Sequence, residues 1–112
     1  MTSSQWEPGL DRHEWESQYQ QLEDELETAP REALPELRDL IEQMLAERGY
    51  DLSDPIARQG EEREVVSEFQ AASDIARRVE AGDEGIGHGD VGAAINGLRA
   101  IFDYVTSEHY AP

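Results

Sequence analysis

The sequence predicts an all-α fold, a small four-helix bundle in one domain. Apolar side chains recur every three to four positions along four segments, and glycine or proline separates these segments. No segment alternates apolar and polar residues as a half-buried strand would. With 112 residues the chain suffices for one core. We therefore expect an irregular lead-in over residues 1–10, the bundle over 11–107 and a tail over 108–112.

The first predicted helix spans residues 12–28, with Asp11 as its N-cap. Its apolar residues form a single narrow stripe, and its remaining surface is strongly acidic. We therefore expect this helix on the outside of the fold, with its acidic side in water. The stripe consists of Trp15, Tyr19, Leu22 and Leu26.

The second predicted helix runs from Pro30 to Arg48 and stops at Gly49, a residue type that often follows the last helical turn. Pro35 lies near its start, where a proline removes a backbone donor. Either residues 30–34 form a separate turn or the helix is kinked there.

The third predicted helix spans residues 61–81 and ends at Gly82, and a mobile glycine-rich loop then leads to Asp90. Asp90 is the predicted N-cap of a fourth helix that runs to Ser107. Because the fourth helix is apolar around most of its circumference, we expect it and the third helix at the centre of the bundle. The same property predicts a homodimer through the fourth helix. Its thin polar strip consists of Asn96, Arg99 and Asp103.

The formal net charge is -17, from 26 acidic residues and 9 arginines without any lysine. Such a charge opposes direct binding to nucleic acid or anionic lipid, and it favours a basic protein partner. Genome composition or salt adaptation would also explain a sequence that lacks lysine. The acidity alone therefore leaves open whether the charge is functional.

The sequence argues against several classes of functional site. Without cysteine the chain has no disulfide, thiolate metal site or thiol nucleophile. No apolar run approaches the ~20 residues that span a bilayer, and no signal peptide precedes the domain, so we expect no membrane partner and a cytoplasmic location. The three histidines lack the metal spacings Glu-x-x-His and His-Glu-x-x-His, and we predict no metal, cofactor or catalytic residue. They are His13, His88 and His109.

Two functional hypotheses follow. The first is a non-catalytic interaction or regulatory protein, in its narrower form a nucleic-acid mimic, that presents carboxylates to a basic partner. The candidate partner-binding residues lie together in the first helix, although a solvated acidic face would have the same composition. They are Glu23, Asp24, Glu25 and Glu27.

The second hypothesis is a small enzyme or ligand-binding bundle with a pocket beside the loop from Gly82 to Asp90. It needs a concave cavity at that loop, which a linear sequence does not show. A role in which the charge only maintains solubility is the third alternative. The polar groups of the predicted pocket are His88, Asp90 and His109.

Overall fold

The computed structural model describes residues 8–50, 52 and 60–108, and the side chains of residues 13–50, 52 and 63–107. Within these ranges the secondary structure consists of four α-helices and no strand, which confirms the predicted all-α four-helix fold. In this part of the chain no helix combines the length and apolar character needed to cross a membrane. The helices are α1 (Pro8–Thr28), α2 (Pro30–Glu47), α3 (Gly60–Glu80) and α4 (His88–Glu108).

The first helix starts earlier than its sequence suggested. It begins at Pro8, so residues 8–10 of the expected lead-in are helical and Asp11 lies inside the helix instead of capping it. A proline is well placed at the first helical position because the N–H that it lacks would have no partner within the helix. Its cyclic side chain also fixes φ near the helical value.

A very short turn connects α1 to α2. Ala29 is the single non-helical residue between them, and its N–H donates to the Glu25 carbonyl at 2.7 Å. Pro30 then opens α2, which continues through Pro35 to Glu47 as one helix. Residues 30–34 are therefore not a separate turn.

Glycines end α2 and α3 by the same geometry. Gly49 adopts φ 86° and Gly82 adopts φ 79°, the left-handed conformation that favours glycine. The Tyr50 N–H then donates back to the Leu45 carbonyl at 3.0 Å, and the Asp83 N–H makes the equivalent bond of 2.9 Å at the end of α3. Both stops agree with the sequence prediction.

The start of α4 corrects the prediction for Asp90. The helix begins at His88, so Asp90 is its third residue and not its N-cap. Its carboxylate accepts a hydrogen bond of 3.1 Å from the Gly87 N–H, which is one half of a capping box. The acid thus supports the helix start from inside the first turn.

The loop between α3 and α4 is attached to the bundle. Ile86 is only 4% exposed and belongs to the hydrophobic core, and the Arg31 guanidinium donates to its carbonyl. The Gly85 N–H donates to the Asp83 carboxylate at 2.8 Å. The expectation of a freely mobile loop overlooked Ile86, an apolar residue that loses water contact only when the loop lies on the helices.

The packing places α2 at the centre, which corrects the expectation that α3 and α4 form it. α2 contacts each of the other three helices, whereas α1 packs mainly on α2. The Tyr19 ring also stacks on Phe102 of α4, with ring centroids 4.4 Å apart. The fully buried side chains of α2 are Ala33, Leu34, Leu37, Ile41, Met44 and Leu45.

The large apolar side chains of α4 are buried within the monomer by the neighbouring helices. These large side chains are therefore already covered without a second copy of the chain, and the homodimer stays a prediction. These side chains are Val91, Ile95, Leu98, Ile101, Phe102 and Val105.

Contacts between distant residues fix the helix directions. The Arg48 guanidinium lies over the Trp15 ring at 4.9 Å, so the start of α1 meets the end of α2. The bond from Arg31 to Ile86 brings the starts of α2 and α4 together at the opposite end. The short connection to α3 makes α3 antiparallel to α4. Pro8 and Glu108 consequently lie toward the same end of the bundle.

Candidate functional site: an acidic groove between α1 and α2

The four acids proposed from the sequence lie on two sides of α1, with Glu25 apart from the other three. Successive residues of an α-helix are rotated by ~100°, so neighbours in sequence point in different directions. Glu25 faces α2, where Glu36 influences its pKa, and Glu23 lies near Tyr19 on the α4 side. Asp24 and Glu27 are exposed to solvent.

Glu25 lines an open groove of about 510 Å³ between the two helices, which we call the α1–α2 groove. Leu22 and Leu40 contribute its apolar surface, whereas the other lining side chains are carboxylates and amides. None of the described lining residues is basic. The polar lining consists of Gln18, Gln21, Glu25, Glu36, Asp39 and Gln43.

The electrostatic environment of Glu25 is unfavourable for its charged form. Loss of hydration raises the pKa of Glu25, and the negative charge of Glu36 raises it further. The protonated form of Glu25 also gains a hydrogen bond with Glu36, which acts in the same direction. The fold therefore holds two mutually repelling carboxylates side by side in this groove.

Arginines of the described helices compensate other acids. Arg38 forms ion pairs of 2.7 Å with Asp39 and with Glu42. Its Nε donates to the Ser73 hydroxyl of α3 at 2.8 Å, and the guanidinium lies 5.5 Å from the Phe69 ring centre. Among residues 13–50 and 63–107, none of the ion pairs includes Glu25 or Glu36.

The polar strip of α4 turns toward α1. Burial raises the pKa of the Tyr19 hydroxyl, and the positive charge of Arg99 together with its hydrogen bond lowers it. The negative charges of Glu23 and Asp103 raise it. The charges of Arg99, Glu23 and Asp103 therefore all act on the Tyr19 hydroxyl, and this cluster connects α1 to α4 on the side away from the α1–α2 groove.

Two residues of the predicted pocket near the loop, His88 and Asp90, do not line the α1–α2 groove. His88 and Asp90 are exposed in the first turn of α4, and the Asp90 carboxylate already binds the Gly87 N–H. His109 lies outside the described residues. Over the described part of the chain, no group of three or more histidine, aspartate or glutamate residues is placed to hold a metal ion.

Sequence reasoning found Glu25 but missed its partner Glu36. The signal that could have found both is the helical spacing of polar residues along one margin of each apolar stripe. On α1 these are Gln18, Gln21 and Glu25, and on α2 they are Glu36, Asp39 and Gln43. Nothing in a single sequence, however, states that these two margins face each other.

The chain has no significant match to any protein-family model, curated protein or solved structure.

Proposed function

We propose that the protein is a non-catalytic interaction or regulatory module that binds a basic protein partner through the α1–α2 groove. The supporting observation is the juxtaposition of Glu25 and Glu36, which raises the pKa of Glu25. A cation that enters between the two carboxylates would replace their repulsion with attraction. Binding a positive charge is thus the interaction that this groove favours most.

The other lining residues suit an arginine or lysine side chain of the partner. The aliphatic part of such a side chain can lie on Leu22 and Leu40 while its charged group reaches the carboxylates. Gln18, Gln21 and Gln43 add amide groups along the groove. Arginine fits best, because its planar guanidinium can donate to two carboxylates at once.

A narrower form of this proposal is mimicry of nucleic acid. Carboxylates spaced along α1 and α2 would then occupy a partner surface that otherwise binds phosphate groups. In that case the protein and a nucleic acid must compete for the same partner, which a competition titration measures. We also propose the cytoplasm as the compartment, and fractionation of the source cells tests this.

The experiment is affinity capture from a native lysate with the immobilised protein, at low and at high salt. A partner that binds the groove is expected to be retained at low salt and released at high salt, because its charge contacts are screened. Glu25→Gln and Glu36→Gln should each weaken capture. Glu84→Gln removes an equal charge from the exposed loop and serves as the matched control.

The purified partner then gives the decisive measurement. Its affinity for the Glu25→Gln and Glu36→Gln variants should fall, while its affinity for the Glu84→Gln variant should stay close to the original. Equal loss in all three variants would assign binding to the overall charge instead of the groove. Retention of no salt-sensitive partner would reject the proposal.

A further inference from the structure

A second groove lies between α3 and α4, with an open volume of about 620 Å³ and a mostly apolar lining. Val65 and Ile101 are buried beneath it, while Ala93 and Ala100 remain exposed along α4. We call it the α3–α4 groove. Its lining residues are Glu64, Val65, Glu68, Ala93, Asn96, Gly97, Ala100, Ile101 and Tyr104.

Gly97 lets an acidic side chain lie across this groove. The Glu68 carboxyl carbon is 3.2 Å from the position that a Cβ of residue 97 would occupy, so α3 extends its carboxylate over the α4 backbone. Glu68 is nevertheless exposed. A negative charge therefore lies on the apolar surface of the groove and stays accessible to an incoming group.

The margins of the groove are acidic on both helices. Glu64 and Glu68 are one helical turn apart on α3, and Asp103 is exposed beside Tyr104 on α4. Between these margins, Ala93 and Ala100 expose small side chains on either side of Gly97, which Glu68 covers, so another helix can approach α4 closely at these two alanines. The arrangement is a mostly apolar surface with two glutamates on the α3 side and one aspartate on the α4 side.

We infer that the α3–α4 groove binds a cationic amphipathic helix of another protein. An apolar stripe on that helix would contact Ala93, Ala100 and the ring of Tyr104. Arginines or lysines at both margins of the stripe would face Glu64 and Glu68 on one side and Asp103 on the other. Two basic residues one turn apart match the spacing of the two glutamates.

Charge distinguishes this occupant from a second copy of the chain. A symmetric dimer through α4 would bring the acidic margins of both copies together, in a chain of net charge -17. The large apolar side chains of α4 are moreover already buried. A basic helix replaces that repulsion with attraction while it covers the same exposed residues.

This inference rests on the proposed function only in one respect, the basic character of the partner. The surface that it concerns is a different one. The probe is a synthetic amphipathic helix with leucines on one face and arginines at both margins. A peptide of identical composition but shuffled order keeps the charge and lacks the apolar stripe. Calorimetry gives the affinities, and amide chemical shifts give the location.

We expect the amphipathic peptide to bind at least about tenfold more tightly than the shuffled peptide. Chemical shifts should change at Gly97, Ala100 and Tyr104. Ala100→Arg, at an exposed position, should weaken binding about tenfold or more by filling the groove with a like charge. Glu68→Gln should weaken it about two- to fivefold.

Ala46→Arg is the matched control, because it makes the same substitution at an exposed position of α2. This variant and Glu25→Gln should bind the peptide within about threefold of the original protein. If only the Glu25 variant loses affinity, the peptide occupies the α1–α2 groove, and the inference fails while the proposed function gains support.

Two further results would overturn the inference. Equal affinity for the shuffled peptide would show attraction to charge without recognition of a helix. Self-association of the protein that Ala100→Arg abolishes would identify a second copy as the occupant, and sedimentation equilibrium measures it. Circular dichroism of every variant confirms that the helices are intact.

Discussion

Glu25 and Glu36 show how a single pair of side chains can couple binding to stability. Because the folded state raises the pKa of Glu25, it binds the Glu25 proton more tightly than the unfolded state does. The resulting stabilisation is present below the ordinary glutamate pKa and is lost as the pH rises through the raised value. At neutral pH the pair is therefore a source of repulsion that a cation can relieve.

We predict that Glu25→Gln increases the free energy of unfolding at pH 7 and that this advantage shrinks as the pH approaches 4. At the lower pH Glu25 of the original protein is itself protonated, so the two proteins become alike. Urea denaturation at both pH values measures the difference. Glu84→Gln controls for the general effect of removing one negative charge, and an equal gain in this control would contradict a specific role of Glu36.

Residue-level reasoning from sequence succeeded where the interaction is local. The stops at Gly49 and Gly82 were predictable, because a left-handed glycine after a helix depends only on its immediate neighbours. The role of Asp90 was assigned wrongly, although its position near the start of α4 was correct. An acid can accept bonds from a helix start either as the N-cap or from the third residue, and the sequence allows both.

At the scale of a helix, the same substitution should have opposite effects at two glycines. Gly49 ends α2 with a positive φ, whereas Gly92 lies within α4 with nothing within 4 Å of an added Cβ. We predict that Gly49→Ala destabilises the protein by about 1 kcal/mol or more, because alanine is strained at that φ. Gly92→Ala should stabilise it by about 0.5–1 kcal/mol, because alanine favours the helix.

Thermal or urea denaturation of both glycine variants checks the signs. Helix content from circular dichroism should be unchanged in both at low temperature. Stabilisation by Gly49→Ala would contradict the assigned end of α2. Destabilisation by Gly92→Ala would show that an added methyl group does not fit at that position of α4.

The positions of the helices were easier to predict from the sequence than the way in which the helices pack against one another. Periodicity identifies the apolar side of each helix, and four helices were expected and found. It does not tell how many neighbours cover that side. The α1–α2 groove illustrates this, because Glu25 and Glu36 belong to different helices and become neighbours only when the two helices pack.

For the whole molecule, the central position of α2 was the main unforeseen feature. The apolar circumference of α4 suggested a centre there, yet α2 buries its stripe against three helices while α4 completes its burial against α2, α3 and one ring of α1. The number of neighbours depends on the topology of the bundle. Composition alone could not distinguish these two arrangements.

We predict that native-state hydrogen exchange is slowest in the middle of α2 and faster in α1. Amides of residues 37–45 lie in the helix that all the others cover, and their exchange requires nearly global unfolding. α1 packs mainly on one neighbour and can open at lower cost. Protection of α1 equal to that of α2 would contradict this order, and exchange followed by mass spectrometry or NMR measures it.

The directions of the helices have a practical consequence for attaching the protein to a label or to a surface. Pro8 and Glu108 lie toward one end, whereas Arg31 and Ile86 meet at the other. A label or a surface tether attached at the start of α1 or at the end of α4 therefore lies at the same pole. The α1–α2 groove lies along the middle of its two helices, so a sample tethered at this pole keeps that groove accessible, whereas the α3–α4 groove reaches Tyr104, one turn from the tethered end of α4.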